Sequence, residues 1–364
     1  MDNKIKIGIL GATGVVGQNY IKLLQKHPWF DIVDLAASPR SAGKTYAEAV
    51  KGRWHMPIPI PDYLKNIEVR DVQDINSLSE EVKFVFSAVN MPTKDQIREV
   101  EFKYAKHGIP VVSNNSAHRW TKDVPMIIGE INSHHIDVIP IQQKNRGFDS
   151  GGFVVVKPNC SLQSYLTTIY ALEQAGYEVE KIVLTTLQAI SGAGYPGVPS
   201  YDMIDNIVPY IGGEEAKTEK EPLKILGKVE GDGISNYEGM KISATCTRVP
   251  VIDGHTASVN VKFKDKVPTL EEVKKIWKDF KGEAQKLQLP KAPEQPIIYL
   301  EEPDRPQPRL DRDLDKGMAV SVGRLREDNV FDIKYISLSH NTDRGAAGGS
   351  ILIAELLKEK GFFN

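Results

Sequence analysis

The chain has 364 residues, 41% hydrophobic and 26% charged, with a net charge of −2. That length exceeds one ordinary core, so two domains are expected. No long basic run supports a nucleic-acid footprint, and no apolar run reaches the ~20 residues of a membrane-spanning helix. Two cysteines, Cys160 and Cys246, exclude a disulfide framework and a cysteine-rich zinc site, so no metal is expected. With no secretory leader evident before "KIKIGIL", a reducing, cytoplasmic setting is the expectation.

Lys4 to Leu10 alternates branched residues as a strand does and runs into "GATGVVGQNYIKLLQKHP". Gly11, Gly14 and Gly17 are spaced by three, and Val16, Tyr20, Ile21 and Leu24 line one helical face. Strand, glycine turn and helix form the context of a dinucleotide fingerprint: glycine lets the backbone approach a diphosphate that rests on the helix N-terminus. The next strand, Ile32 to Ala37, ends in "SPRSAGK". Ser38, Arg40 and Ser41 stand where an NAD site carries an acidic residue, and a guanidinium with two hydroxyls suits the 2′-phosphate of NADP.

"NIEVRDV", "VKFVFSAV", "IPVVSNN" and "VPMIIGEI" read as further strands, with a helix over 94–106 between two of them. This alternation predicts a Rossmann-type, doubly wound parallel sheet, its ligand beyond the carboxyl ends of the strands. Ser87, Ser113, Asn114 and Asn115 fall at such ends, and Arg119 lies just past one.

The strand at Phe153–Val156 is broken by Pro158 and Asn159. Cys160 and Ser161 then open a segment with helical spacing at Leu162, Leu166, Ile169 and Leu172. Two readings stand for Cys160: a thiol whose pKa a helix N-terminus lowers, or a small buried apolar residue. Beyond it, "EKIVLTTLQAI", "MKISATCTRVPVI", "TASVNVKF", "MAVSVGRL" and "FDIKYISLS" predict an α+β domain with a mixed, largely antiparallel sheet. Thr269 and Glu272 form a capping box opening a helix.

Asp253-Gly254 reads as a hairpin turn, which places His255 at a turn with Arg248 on the strand leading in. A histidine beside a thiol is the minimum for cysteine nucleophilic catalysis. His27, His107, His134 and His135 sit among polar residues and are expected at the surface, and Cys246 in the core. Small residues in "SGAGYPG" would let a flat ring approach the backbone. The C-terminal helix is expected to return over the first sheet. The division expected is 1–157, completed by 342–364, and 158–341.

Together these residues support one chemistry: thiolate addition to an aldehyde, hydride transfer to NADP⁺, and attack of an acceptor on the resulting thioester. The backbone N–H of Cys160 and the side chain of Asn159 would serve its oxyanion.

"GILGATGVVGQ", "ASPRSAGK", "SNNSAHR", "PNCS", "LQAISGAGYPGVPSYDMIDNIVPYI", "RVPVIDGHT", "DRPQPRLDRD" and "HNTDRGAAGGS" run through nearly the whole chain. In them the chain resembles the archaeal and fungal branch of the aspartate-β-semialdehyde dehydrogenases. The resemblance implies NADPH-dependent, reversible conversion of aspartyl-β-phosphate to aspartate-β-semialdehyde with release of phosphate, early in lysine, threonine, methionine and isoleucine synthesis. It implies that Cys160 is the thioacyl nucleophile, His255 the acid/base and Gln188 the residue orienting nucleophile and substrate. By the same resemblance Arg248 clamps the substrate carboxylate, Glu221 meets its ammonium, and Lys224 and Arg119 hold phosphate. Thr13, Gly14, Val15, Val16, Ser38, Arg40 and Ser41 match NADP contacts, and Ser191, Gly192, Asn341 and Thr342 match positions near the nicotinamide. A homodimer or homotetramer is implied.

The family's Ser-Thr after the cysteine is here Ser161-Leu162. Malonyl- or succinyl-CoA reductases share the scaffold and form the alternative reading, although those considered lack the Asn that stands here at 159. A non-catalytic NADP-binding sensor is the alternative of another class.

Overall fold

The computed structural model describes residues 4–363; residues 1–3 and 364, at the outer bounds of the expected division, lie outside the described residues. Six strands form the first sheet: β1 (Ile5–Leu10), β2 (Phe30–Ala37), β3 (Arg70–Asp71), β4 (Phe84–Ser87), β5 (Val111–Ser113) and β6 (Val154–Val156). Their order is β3-β2-β1-β4-β5-β6, and every pairing is parallel. β4, β5 and β6 are buried along their whole length, as a sheet covered on both faces requires.

The C-terminal helix Gly348–Glu359 provides part of that cover. Its Ile351, Leu352, Ile353, Leu356 and Leu357 share a core with Phe84, Val112 and Phe153. This matches the expected return of the chain over the first sheet.

The remaining strands are β7 (Val179–Gln188), β8 (Lys228–Glu230), β9 (Gly233–Ser235), β10 (Lys241–Arg248), β11 (His255–Phe263), β12 (Ile297–Leu300), β13 (Val320–Glu327) and β14 (Ile333–Ser339). β8 and β9 pair only with each other, and the rest form a mixed sheet ordered β10-β7-β11-β14-β13-β12. Helices Leu166–Gln174 and Leu270–Asp279 pack together behind it, with Trp277 fully buried and donating to the Thr168 carbonyl.

Several local expectations are corrected. "VPMIIGEI" forms no strand; Met126 makes only an isolated bridge to Val156. The Asn132 side chain takes the Ile128 N–H and donates to the Met126 carbonyl, and Val156 pairs with Pro125 and Ile127. "NIEVRDV" contributes two strand residues. Asp253-Gly254 joins no hairpin: β10 and β11 lie on opposite sides of β7, parallel and antiparallel to it. The 249–254 connection crosses the end of β7, where Ile190 and Ser191 donate to the Val251 and Ile252 carbonyls. His27 and His135 are buried, each in specific hydrogen bonds, whereas His107 and His134 are exposed.

Candidate active site

β6 exits at Lys157, whose N–H donates to the Ser113 carbonyl at 2.8 Å and ties the exit to the end of β5. Pro158 and Asn159 end the strand, and Cys160 begins a short 3-10 turn, Ser161–Ser164. β11 begins at His255, opposite Ser339 of β14. The two elements bring Cys160 Sγ and His255 Nε2 to 3.4 Å, although 95 positions separate them.

His255 is fully buried. Its Nδ1 accepts the backbone N–H of Ala189 at 3.1 Å. That donor requires the Nδ1 lone pair, so the neutral ring carries its proton on Nε2, facing sulfur. Burial, with the Arg248 charge adding to it and the Gly254 carbonyl opposing, pulls His255 down to about 3. In this state the histidine is a neutral donor to sulfur rather than a base for its proton.

Opposing influences act on the thiol. Burial pushes Cys160 up to about 11; Glu214 adds to this, while Lys157, Arg119 and Arg248 pull it down. A four-residue turn brings little dipole, and the Asn159 Oδ1 already takes the Ser161 N–H at 2.7 Å. Desolvation and the three cations thus act on the thiol in opposite directions.

The helix Glu214–Ile225 supports the nucleophile from one face. Thr218 meets the Ser161 hydroxyl at 2.9 Å. Glu221 accepts the Asn159 N–H at 2.6 Å and the Arg119 Nη1 at 3.0 Å. Lys224 departs from the expected phosphate contact, because its ammonium donates to three backbone carbonyls, those of Arg119, Thr121 and Val124. All three protons are spent on holding the loop that carries Arg119.

Gln188 and Arg248 end the adjacent strands β7 and β10 in register. Arg248 donates to the Ala189 carbonyl at 2.6 Å and Gln188 to Thr186 at 3.1 Å. Gly192 lies against Arg248 and His255; a Cβ there would stand 2.8 Å from Arg248 Nη1 and 3.1 Å from His255 Nε2. Asn341 accepts the Gly254 N–H at 2.7 Å and donates to Ser191 at 2.8 Å. Thr342 takes Asn19 of the first helix through its carbonyl.

At the other end lies the glycine turn. Gly11 has φ +84°, and a Cβ on it would press to 2.4 Å from the Ala88 carbonyl. Gly14 stands before the helix Val15–Leu24, whose first turn has neither a side-chain cap nor an acidic residue. Its N–H groups are thus available to an anion. Thr13 is fixed through its carbonyl by Gln18. Ser38 and Arg40 are exposed after β2, and Ser41 is buried beneath them. Four strand spacings, roughly 19 Å, separate β2 from β6, so these residues do not meet Cys160 but lie along one sheet edge with it.

Ser87 and Asn115 belong to a network that sequence reasoning missed. Both, with Ser113, donate to one oxygen of the fully buried Glu101, at 2.6 Å from each hydroxyl and 2.9 Å from the amide. An acid among Ile97, Val100 and Tyr104 on the helix Lys94–Lys106 was the available signal. Arg344, also missed, is buried and donates to Glu130, the Met318 carbonyl and Thr167. Gly345 packs directly on Cys160.

The fold and this arrangement define a dinucleotide-binding α/β protein with a cysteine–histidine pair where its two sheets meet. The family model "semialdehyde dehydrogenase, NAD binding domain" matches residues 6–139, and "semialdehyde dehydrogenase, dimerisation domain" matches 169–344. An aspartate-semialdehyde dehydrogenase of Archaeoglobus fulgidus is 48% identical over 98% of this chain and 99% of its own length. One of Aspergillus fumigatus is 45% identical over 99% and 98%. The crystal structure of the Candida albicans aspartate-semialdehyde dehydrogenase with NADP superposes with a TM-score of 0.89, at 42% identity, over 99% of this chain and all of that one. The chain belongs to the aspartate-semialdehyde dehydrogenase family.

Proposed function

We propose that this protein catalyses the reversible, NADPH-dependent reductive dephosphorylation of L-aspartyl-β-phosphate to L-aspartate-β-semialdehyde through a thioacyl group on Cys160. The observation that carries this reading is the 3.4 Å contact between Cys160 Sγ and His255 Nε2, in a chain of this family.

In the synthetic direction the Cys160 thiolate attacks the acyl carbon, and phosphate leaves with the C–O bond pair. Arg119, fixed by Glu221, is the cation for that phosphate. The Nε2–H of His255 hydrogen-bonds first to sulfur and then to the oxygen that turns negative in the adduct. The Asn159 amide and the Cys160 N–H assist that oxygen. Arg248 takes the substrate α-carboxylate and Gln188, beside it, orients the chain of the substrate. Glu221 remains the candidate for its ammonium.

The residues present fit a dinucleotide: Gly11, Thr13, Gly14, Val15 and Val16 for the diphosphate, Ser38, Arg40 and Ser41 for the 2′-phosphate, and Ser87, Ser191, Gly192, Asn341 and Thr342 towards the nicotinamide. Bound NADPH supplies the hydride that reduces the thioester. Within the chain, 1–157 with 342–364 serves the nucleotide and 158–341 the chemistry. The mixed sheet leaves Val183 and Leu187 of β7 exposed, which with the matched dimerisation model supports a homo-oligomer, a dimer or a tetramer of this chain. Among the described residues no helix is long and apolar enough to span a membrane, and we place the enzyme in the cytoplasm.

The test is turnover by purified protein. Phosphate- or arsenate-dependent NADPH formation from aspartate semialdehyde is the expected result. NADPH oxidation with malonyl- or succinyl-CoA alone would point instead to an acyl-CoA reductase. Turnover surviving Cys160→Ser would remove the thioacyl route.

A further inference from the structure

The buried cations around Cys160 are committed to partners, with one exception. Arg119 donates to Glu221 and to the Lys157 and Asn114 carbonyls. Arg248 binds the Ala189 carbonyl, Lys224 three carbonyls, and Arg344 a carboxylate, a carbonyl and a hydroxyl. Lys157 is 1% exposed, yet its ammonium makes one hydrogen bond, to the adjacent Pro158 carbonyl at 2.8 Å. It pairs with no carboxylate among the described residues; the nearby acids Glu221 and Glu130 are held by Arg119 and Arg344. A lysine so buried and unpaired is costly and calls for a compensating anion.

The C-terminal helical segment supplies the geometry. A Cβ on Gly345 would lie 2.9 Å from Cys160 Cβ, and one on Gly349 would lie 2.9 Å from Lys157 Cε. Positions four apart on a helix are about 6 Å from each other. The cysteine and the lysine stem therefore pack against two glycines four positions apart on one segment, where an added side chain would press on each of them. Lys157 also lines a cavity of about 10 Å³ with Gln163, Glu130 and Arg344, whose Nε lacks a partner. That is room for about one water among polar groups.

We propose that Lys157 is the fixed positive charge that stabilises the Cys160 thiolate, a positioning residue for the nucleophile. The inference rests on Cys160 being the nucleophile. Ionisation sends the thiol proton to solvent and replaces a lone buried ammonium with a neutral ion pair. Burial pulls Lys157 down, the Cys160 anion and Glu221 raise it, and Arg119 and Arg344 lower it. Reciprocally, Lys157 leads the cations that lower Cys160 against its burial.

Iodoacetamide alkylation of the substrate-free protein, mapped by mass spectrometry to separate Cys160 from Cys246, reads the thiolate directly and needs no turnover. Lys157→Met keeps the stem and removes the charge. It is expected to slow alkylation near neutral pH about tenfold or more and to move its midpoint up by about one pH unit, with Lys157→Arg restoring most of the rate. An unchanged profile in Lys157→Met overturns the proposal. Should that variant not fold, ¹³C NMR of the lysine Cε in Cys160→Ser decides. Lys157 must titrate lower than in the wild type, and an unmoved titration overturns the proposal equally. Absent turnover of aspartate semialdehyde, with the alkylation shift intact, would count against the proposed activity alone.

Discussion

Glu221 holds the backbone N–H of Asn159 at 2.6 Å, one residue before the thiol. The same carboxylate takes Arg119 through its other oxygen, so one buried acid sets both the nucleophile's backbone and the phosphate cation. Removing it strands a buried guanidinium. Glu221→Ala is expected to destabilise the fold by about 3–5 kcal/mol in urea unfolding.

Lys224 provides a sharper contrast. As a phosphate ligand alone, its loss would raise the KM for phosphate and leave stability untouched. Because its ammonium satisfies three carbonyls, Lys224→Met is expected to cost at least about 3 kcal/mol in the same assay. Arginine will not rescue it, since a planar fork cannot cap three converging carbonyls.

Gly192 tests the site itself. The nearest atom to an added Cβ is the end of the Arg248 side chain, which can shift, so Gly192→Ala is expected to fold. Displacing that tip from the Ala189 carbonyl is expected to raise the KM for aspartate semialdehyde about tenfold, roughly 1.4 kcal/mol of lost binding.

Arg40→Ala is expected to weaken NADP far more than NAD. Equal loss of both, measured by fluorescence titration, would argue against a 2′-phosphate site after β2.

His135 makes the fold acid-sensitive. Its Nδ1 accepts from Asn132 and its Nε2 donates to the Gly227 carbonyl, both at 3.0 Å, so the ring is held neutral; burial pulls it to about 4. The unfolded chain takes up this proton as pH falls through about 6.5 and the native state does not. Stability from this group is therefore complete above about pH 6.5 and falls by about 1.4 kcal/mol per pH unit down to about pH 4. His135→Gln is expected to flatten the dependence of the urea midpoint on pH across that window by about one proton.

Local chemistry made much of this legible in the sequence. The glycine turn, the β1–helix unit, the buried strands and the capping box at Thr269 follow from spacing and propensity, and the structure contains them. The order of strands around β7 does not, because Asp-Gly favours a tight turn wherever it stands and only the pairing of 190–191 with 251–252 converts it into a crossover. The surroundings of the thiol were not legible for a related reason: a helix start is local, whereas desolvation depends on what the C-terminal segment lays over Cys160. Lys157, directly after three valines, was a visible anomaly, a charge at the end of a buried strand.

The most direct test is acid-quenched mass spectrometry of the protein mixed with aspartate semialdehyde and NADP⁺ in the absence of phosphate. A single acyl adduct on the peptide carrying Cys160, discharged on adding phosphate, is the result this account requires. Full turnover with that peptide unmodified, or an adduct on Cys246 instead, would contradict it.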